Sequence, residues 1–166
     1  FQVAEFRRPE FRVDVTPART NYVDGDTIEV EAAASFFFGG ALSGAKTSWA
    51  AIGYQTSVYF PEYARYSFSD FDFRAASFVD DPMRGSGEAV TDADGIARIR
   101  VPASLRANEG TAQFDVSVTV LDQTGQAIAS SASVVVHPAE VYVGLDASAY
   151  VARTGEALSL DLVTVN

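Results

Sequence analysis

At 166 residues with 48% hydrophobic side chains, the chain is long enough to bury a sizeable core without staples and too apolar for a disordered segment. It has no cysteine, which excludes disulfides and thiolate metal sites. A net charge of −10 argues against binding nucleic-acid phosphates or anionic membrane surfaces, and no apolar run approaches the ~20 residues of a transmembrane helix.

Residues 1–6 alternate like a strand, and Arg7-Arg8-Pro9 breaks them, because proline cannot donate to a ladder. The stretch that organises the chain follows, over residues 11–49. Phe11, Val13 and Val15 alternate with Arg12, Asp14 and Thr16; after a loop over residues 17–21, Ile28, Val30, Ala32, Ala34 and Phe36 alternate with Thr27, Glu29 and Glu31. Period-two alternation gives each strand one wet and one dry face. Asp24-Gly25 is expected to turn the first strand into the second, and Gly39, Gly40 and Gly44 break the aromatic run before a third strand leads to Trp49. Such a unit needs a second sheet on its dry face.

Residues 50–87 are rich in aromatics and poorly alternating. A strand is expected over 54–60, ended by Pro61, and then a long excursion carrying Asp70, Asp72, Asp80 and Asp81, whose aromatics pack down on the body. Residues 87–91 and 96–101 read as two arms of a hairpin around Asp92-Ala93-Asp94-Gly95. That tetrapeptide also resembles the opening of a calcium loop, but the later acidic ligand is missing. Residues 102–110 connect to the clearest strand, with Phe114, Val116, Val118 and Val120 alternating against Asp115, Ser117 and Thr119; the turn at Asp122–Gly125 sends it back over 128–136. His137-Pro138 closes that strand. Residues 141–145 start another, Thr154-Gly155-Glu156 turns, and 158–165 follow, repeating the grammar of residues 22–30. The predicted core is Val13, Val15, Ile28, Val30, Trp49, Ile99, Phe114, Val116, Val118, Val134 and Val136.

The chemistry is sparse. His137, the one histidine, precedes a proline at a strand end and reads as a boundary residue, so no Ser-His-Asp set can be assembled around it. Gly39-Gly40 lacks the lysine and helix of a phosphate loop. The carboxylates lie on strand exteriors and turns. No catalytic, cofactor-binding or metal-ligating residue is assigned, and the chain is not read as an enzyme.

The ordered set Val3-Ala-Glu-Phe-Arg-Arg-Pro-Glu-Phe-Arg-Val13, Tyr22-x-x-Gly25-Asp26, residues 34–45 with Trp49, Gly85-x-Gly87, Thr91-Asp-Ala-Asp-Gly95 and residues 136–144 resembles the macroglobulin-like domains of bacterial alpha-2-macroglobulins. The resemblance covers essentially the whole chain. It implies a seven-stranded antiparallel β-sandwich of immunoglobulin-like architecture, strung with others in the amino-terminal half of a very large protease-trapping protein. That family's bait region and Cys-Gln thioester are not in these residues.

The expected organisation is therefore a closing strand of a preceding domain and linker over 1–8, a sandwich over 9–138 with an insertion near 50–87, and the truncated opening strands of a following domain over 139–166. The expected function is that of a structural scaffold domain in a bacterial broad-spectrum endopeptidase inhibitor, in the periplasm or cell envelope and membrane-anchored, as a lipoprotein, through its parent. The alternative is a binding or adhesion module of a bacterial surface or periplasmic protein, since fold does not fix function. Expected partners are neighbouring macroglobulin-like domains and, through the parent, target endopeptidases. No cofactor, nucleic acid or small-molecule substrate is expected, and the uncovered faces of the two ends are expected to self-associate.

Overall fold

Period-two burial runs through every long strand of the molecule, and it divides the strands between two facing sheets. The computed structural model describes residues 8–68, 82–106, 110–149 and 151–166; the expected strand over 1–6 and Asp70, Asp72, Asp80 and Asp81 lie outside them. Among the described residues there are ten strands: β1 (Phe11–Pro17), β2 (Asn21–Val23), β3 (Thr27–Phe36), β4 (Lys46–Gln55), β5 (Met83–Val90), β6 (Ile96–Pro102), β7 (Ala112–Leu121), β8 (Ala127–His137), β9 (Tyr142–Ala147) and β10 (Leu160–Val165). One sheet has the order β1-β3-β6 and the other β2-β8-β7-β4-β5, while β9 and β10 form a separate pair. The expected β-sandwich is thus built from sheets of three and five strands.

The two dry faces meet over Phe11, Ile28, Val30, Ile99, Val101, Phe114, Val116, Val118, Val120, Val134 and Val136, all fully buried. Burying each such valine, isoleucine or phenylalanine favours folding by about 1.5–3 kcal/mol. Nine of the eleven expected core residues are buried. Val15 and Trp49 are half-buried at the rim. Trp49 lies opposite Gly87 and its indole covers Gly85 and Gly87, two positions of the edge strand β5 whose lack of a Cβ leaves room for the ring. Small Ala32 and Ala34 also belong to the core, as does Tyr22, whose hydroxyl takes a hydrogen bond from the Glu29 amide.

Three strand assignments change. Gly25 does not turn β1 into β3. A three-residue strand, β2, intervenes and pairs in parallel with β8 in the opposite sheet, because Tyr22 is drawn into the core between the sheets. The strand expected over 54–60 ends at Gln55; Pro61–Tyr63 then forms a 3-10 turn. Phe60 is used against other aromatics rather than on a sheet face.

The third change concerns Asp92–Gly95, which is not a hairpin. β5 pairs with β4 and β6 with β3, so this loop carries the chain from one sheet to the other. Locally it is the twin of the true hairpin loop at Asp122–Gly125. In each, the aspartate carbonyl accepts from the glycine amide and Oδ1 accepts from the amides two and four residues on. What sends the first loop around a corner lies outside it. Buried Thr91 donates its hydroxyl to the Leu42 carbonyl at 2.6 Å and accepts from the Ala45 amide at 2.9 Å. That stitches the end of β5 to the 42–45 crossover.

The β9–β10 pair duplicates β1–β3 in register. A constant offset of 130 positions (Gly25 to Gly155) turns Val13↔Ala34 into Val143↔Thr164, Val15↔Ala32 into Leu145↔Leu162, and Pro17↔Val30 into Ala147↔Leu160. The turns coincide too. Gly25 and Gly155 have φ of +92° and +90°. The Val23 amide donates to Asp26 Oδ2 at 3.1 Å and the Arg153 amide to Glu156 Oε2 at 3.2 Å. Ala18 N–H to Glu29 O is matched by Ser148 N–H to Ser159 O, both 2.9 Å. The packing differs: in place of buried Val13, Ile28, Val30 and Ala32 stand Val143, Leu158, Leu160 and Leu162, exposed to 60, 44, 52 and 68%.

Candidate functional site

The side chains that bring different parts of the molecule together gather where residues 56–68, the connector after β4, meet β9 and β10. Proline at 61 starts the 3-10 turn, and the turn places Phe60 against Phe68, ring centroids 4.7 Å apart, and against Tyr142 at 5.6 Å. Tilted and edge-on contacts of this kind contribute about 0.5–1.5 kcal/mol each beyond burial. The connector then runs beside β9. The Ser67 amide donates to the Leu145 carbonyl at 2.8 Å, and the Leu145 amide donates back to Ser67 at 2.9 Å.

Arg65 reaches both strands of the pair. Its Nη2 donates to Asp161 Oδ2 at 2.9 Å, and its Nε lies 3.4 Å from Asp146 Oδ2. The guanidinium also stacks over Tyr66, 4.8 Å from the ring centroid, and donates to its hydroxyl. That hydrogen bond, with the two carboxylates, raises the Arg65 pKa above its ordinary value. Beneath Phe68 sits Gly144, where a Cβ would come within 2.6 Å of the ring, so glycine is what lets the ring seat.

His137 stands at the end of β8, on the sandwich side of this junction. Its Nε2 lies 3.1 Å from Asn21 Oδ1 and its Nδ1 2.7 Å from the Tyr142 hydroxyl, which also bonds to Thr111. With the proton on Nε2, the ring donates to Asn21 and accepts from Tyr142. Burial pushes the His137 pKa down and the Tyr142 pKa up, each favouring the neutral form. The imidazole thus joins β2, β8 and β9.

The calcium-loop look-alike is committed elsewhere. Asp92 Oδ1 accepts the Asp94 and Ile96 amides, and Oδ2 accepts Arg98 at 2.7 Å. The Ile96 bond and Arg98 hold its carboxyl below the usual range. Among the described residues, no group of three or more acidic or histidine side chains is placed to hold a metal ion. Gly39 and Gly40 form the turn after β3 beside exposed Phe37 and Phe38. Sequence reasoning missed Arg65, Gly144 and Tyr142. Gly144 in an otherwise alternating strand was the available signal, since such a glycine marks close approach by another part of the chain.

No family model matches the chain. A curated relative, Circularly permutated Ras protein 2 of Dictyostelium discoideum, is 24% identical over 155 residues, covering 89% of this chain and 4% of its own length. Solved structures align over nearly all of the chain. The Escherichia coli alpha-2-macroglobulin activated by porcine elastase superposes with a TM-score of 0.66 and 14% identity over 96% of this chain and 14% of that one. Salmonella alpha-2-macroglobulin reacted with methylamine gives 0.65 and 13% over 100% and 12%, and the native E. coli protein 0.64 and 14% over 97% and 10%. The chain therefore spans roughly a tenth of these much larger proteins. At this identity the likeness shows the fold, a macroglobulin-like β-sandwich.

Proposed function

We propose that the chain is a scaffold segment of a large multidomain protein that traps endopeptidases, similar to the bacterial alpha-2-macroglobulins. The observation that carries this is the register-matched duplication of β1–β3 by β9–β10. A strand pair that repeats the opening of a sandwich, with its core-facing side uncovered, is the start of a second like-folded domain. Residues 9–138 are then one domain, 139–166 open the next, and 1–8 close a preceding one. The work of this segment is to pack on neighbouring domains, and protease capture belongs to other parts of the parent. The parent sits in the periplasm or cell envelope, held to a membrane as a lipoprotein.

The test incubates the chain with a panel of endopeptidases. Neither a covalent adduct nor protection of protease activity from a macromolecular inhibitor is expected from this chain, whereas its parent protects the captured enzyme. Trapping by the chain alone overturns the reading. A shortened chain of residues 8–138 is expected to keep strands β1–β8 and to lose any self-association through Leu158, Leu160 and Leu162; failure to fold places the terminal strands in the central sandwich.

A further inference from the structure

Two aspartates face each other across β9 and β10: Asp146 and Asp161 are direct cross-strand partners. Like charges in that position oppose strand pairing. Here the opposition is relieved from outside the pair, by Arg65, whose two nitrogens reach one carboxylate each. Two positions before Asp146 on β9 lies Gly144, the glycine that admits Phe68, and between them the Leu145 backbone is bonded to Ser67 in both directions. The connector thus touches the pair through a charge feature, a shape feature and a backbone feature at once.

The duplication supplies an internal comparison. At the same positions the first copy carries Thr16 opposite Glu31, a single carboxylate, and that carboxylate is already paired with Arg98 at 3.2 Å. In place of Gly144 it carries Asp14, whose side chain is turned to solvent beside Arg12. A Cβ at the Gly144 position meets the Phe68 ring at 2.6 Å. So β1–β3 has the same backbone register as β9–β10 but lacks both features that the connector reads.

We infer that the connector of residues 60–68 is a selective docking surface, which accepts a strand pair bearing opposed carboxylates and a central glycine and rejects the β1–β3 pair of its own sandwich. Arg65 is the charge-reading residue and Phe68 the shape-reading one. The consequence is directional. An end-to-end contact between like-folded units propagates into open filaments when every unit presents the same accepting face. Here the two pairs differ, so the β1–β3 pair of a second copy cannot take the place of β9–β10 at the connector, and the unit's neighbour is fixed by both attraction and exclusion. The inference rests on the reading of β9–β10 as the start of a second unit, but its readout involves no protease.

The experiment is amide hydrogen exchange on the full chain, residue by residue. Ser67 and Leu145 amides report the joint, and the Val118 amide reports the sandwich. Arg65→Gln is expected to speed exchange at Ser67 and Leu145 about fivefold, the range of a partly exposed ion-pair network, with Val118 unchanged. Gly144→Asp, which installs the residue of the first copy, is expected to strip protection from both joint amides. Arg65→Gln leaves the opposed carboxylates uncompensated, so the Ser148 amide, which bonds across the pair to Ser159, should also exchange faster, and adding Asp146→Asn and Asp161→Asn should slow it again; no difference between the single and triple variants at Ser148 overturns the charge reading. Joint amides as slow as in the parent chain in either variant overturn the inference, and so does an equal acceleration at Val118. Failure of the trapping assay with these outcomes intact removes the protease reading and leaves the docking surface standing.

Discussion

Replacing Thr91 with valine removes one oxygen and almost no volume, and it should be among the costlier single changes in the sandwich. Thr91 is 3% exposed. Its hydroxyl donates to Leu42 O and accepts from Ala45 N–H, so Thr91→Val orphans two main-chain groups at the sheet-to-sheet corner. Each buried unpaired group costs about 1–3 kcal/mol, and the added methyl returns up to ~1 kcal/mol. The net loss is about 1–6 kcal/mol. Urea unfolding followed by the fluorescence of Trp49, the only tryptophan, measures it in the sandwich itself. With a mid-range slope of about 2 kcal/mol/M for a protein of this size, the midpoint should fall by about 0.5–3 M at unchanged slope. Thr91→Ser keeps both hydrogen bonds and should lose only about 1 kcal/mol for its methyl. A valine variant within about 0.5 kcal/mol of the parent chain, or a serine variant as damaged as the valine one, refutes the assignment of the corner to this hydroxyl.

Gly95 and Gly125 occupy the same place in twin loops at φ of +77° and +84°, but a Cβ at Gly95 meets the Ala34 carbonyl oxygen at 2.5 Å while Gly125 opens to solvent. Gly125→Ala should cost about 1–2 kcal/mol in a denaturant titration and Gly95→Ala clearly more; equal costs refute the steric reading. Gly87→Ala puts a Cβ 2.9 Å from the Trp49 indole, so it should shift the emission maximum and destabilise by about 1–3 kcal/mol as an overpacked contact. Burial lowers the His137 pKa, so the unfolded chain binds the extra proton first. The stability contributed by the neutral ring is complete above the unfolded value of about 6.5 and declines as pH falls below it. His137→Gln should therefore show a flatter stability profile between pH 8 and 5 than the parent chain; identical profiles refute the role of this ring.

Alternation made most of the sandwich legible. Phe114, Val116 and Val118 declare one face of β7, and Ile28 and Val30 one face of β3, because a strand buried on one side has no freedom to hide its period. What the sequence could not display was which strand lies beside which. Asp92–Gly95 and Asp122–Gly125 satisfy the same set of local hydrogen bonds, so the loop residues carry no record that one closes a hairpin and the other crosses between sheets; that information sits in Thr91, 49 residues from the carbonyl it holds. β2 was hidden for a related reason, since three residues are too few to show a period. The connector was legible as aromatic, but its partners Tyr142, Gly144, Asp146 and Asp161 come from the far end of the chain. Nothing local in Arg65 announces that two aspartates will converge on it.

The parallel pairing of β2 with β8 also decides how the sandwich carries tension. β8 leads directly to β9 through His137, and β1 brings the chain in, so a pull between the two ends of the sandwich runs along β8 at one side. There it meets β2, whose bonds to β8 include Val135 N–H to Thr20 O and Asp24 N–H to His137 O, both 2.8 Å. These bonds lie across the strands, and a load along the strands stretches them together rather than opening them one by one. A three-residue strand, too short to add much to equilibrium stability, thus sits where it can act as a shear clamp, and the strength of the sandwich under load would be set by Asn21, Tyr22 and Val23 more than by the long strands of the core.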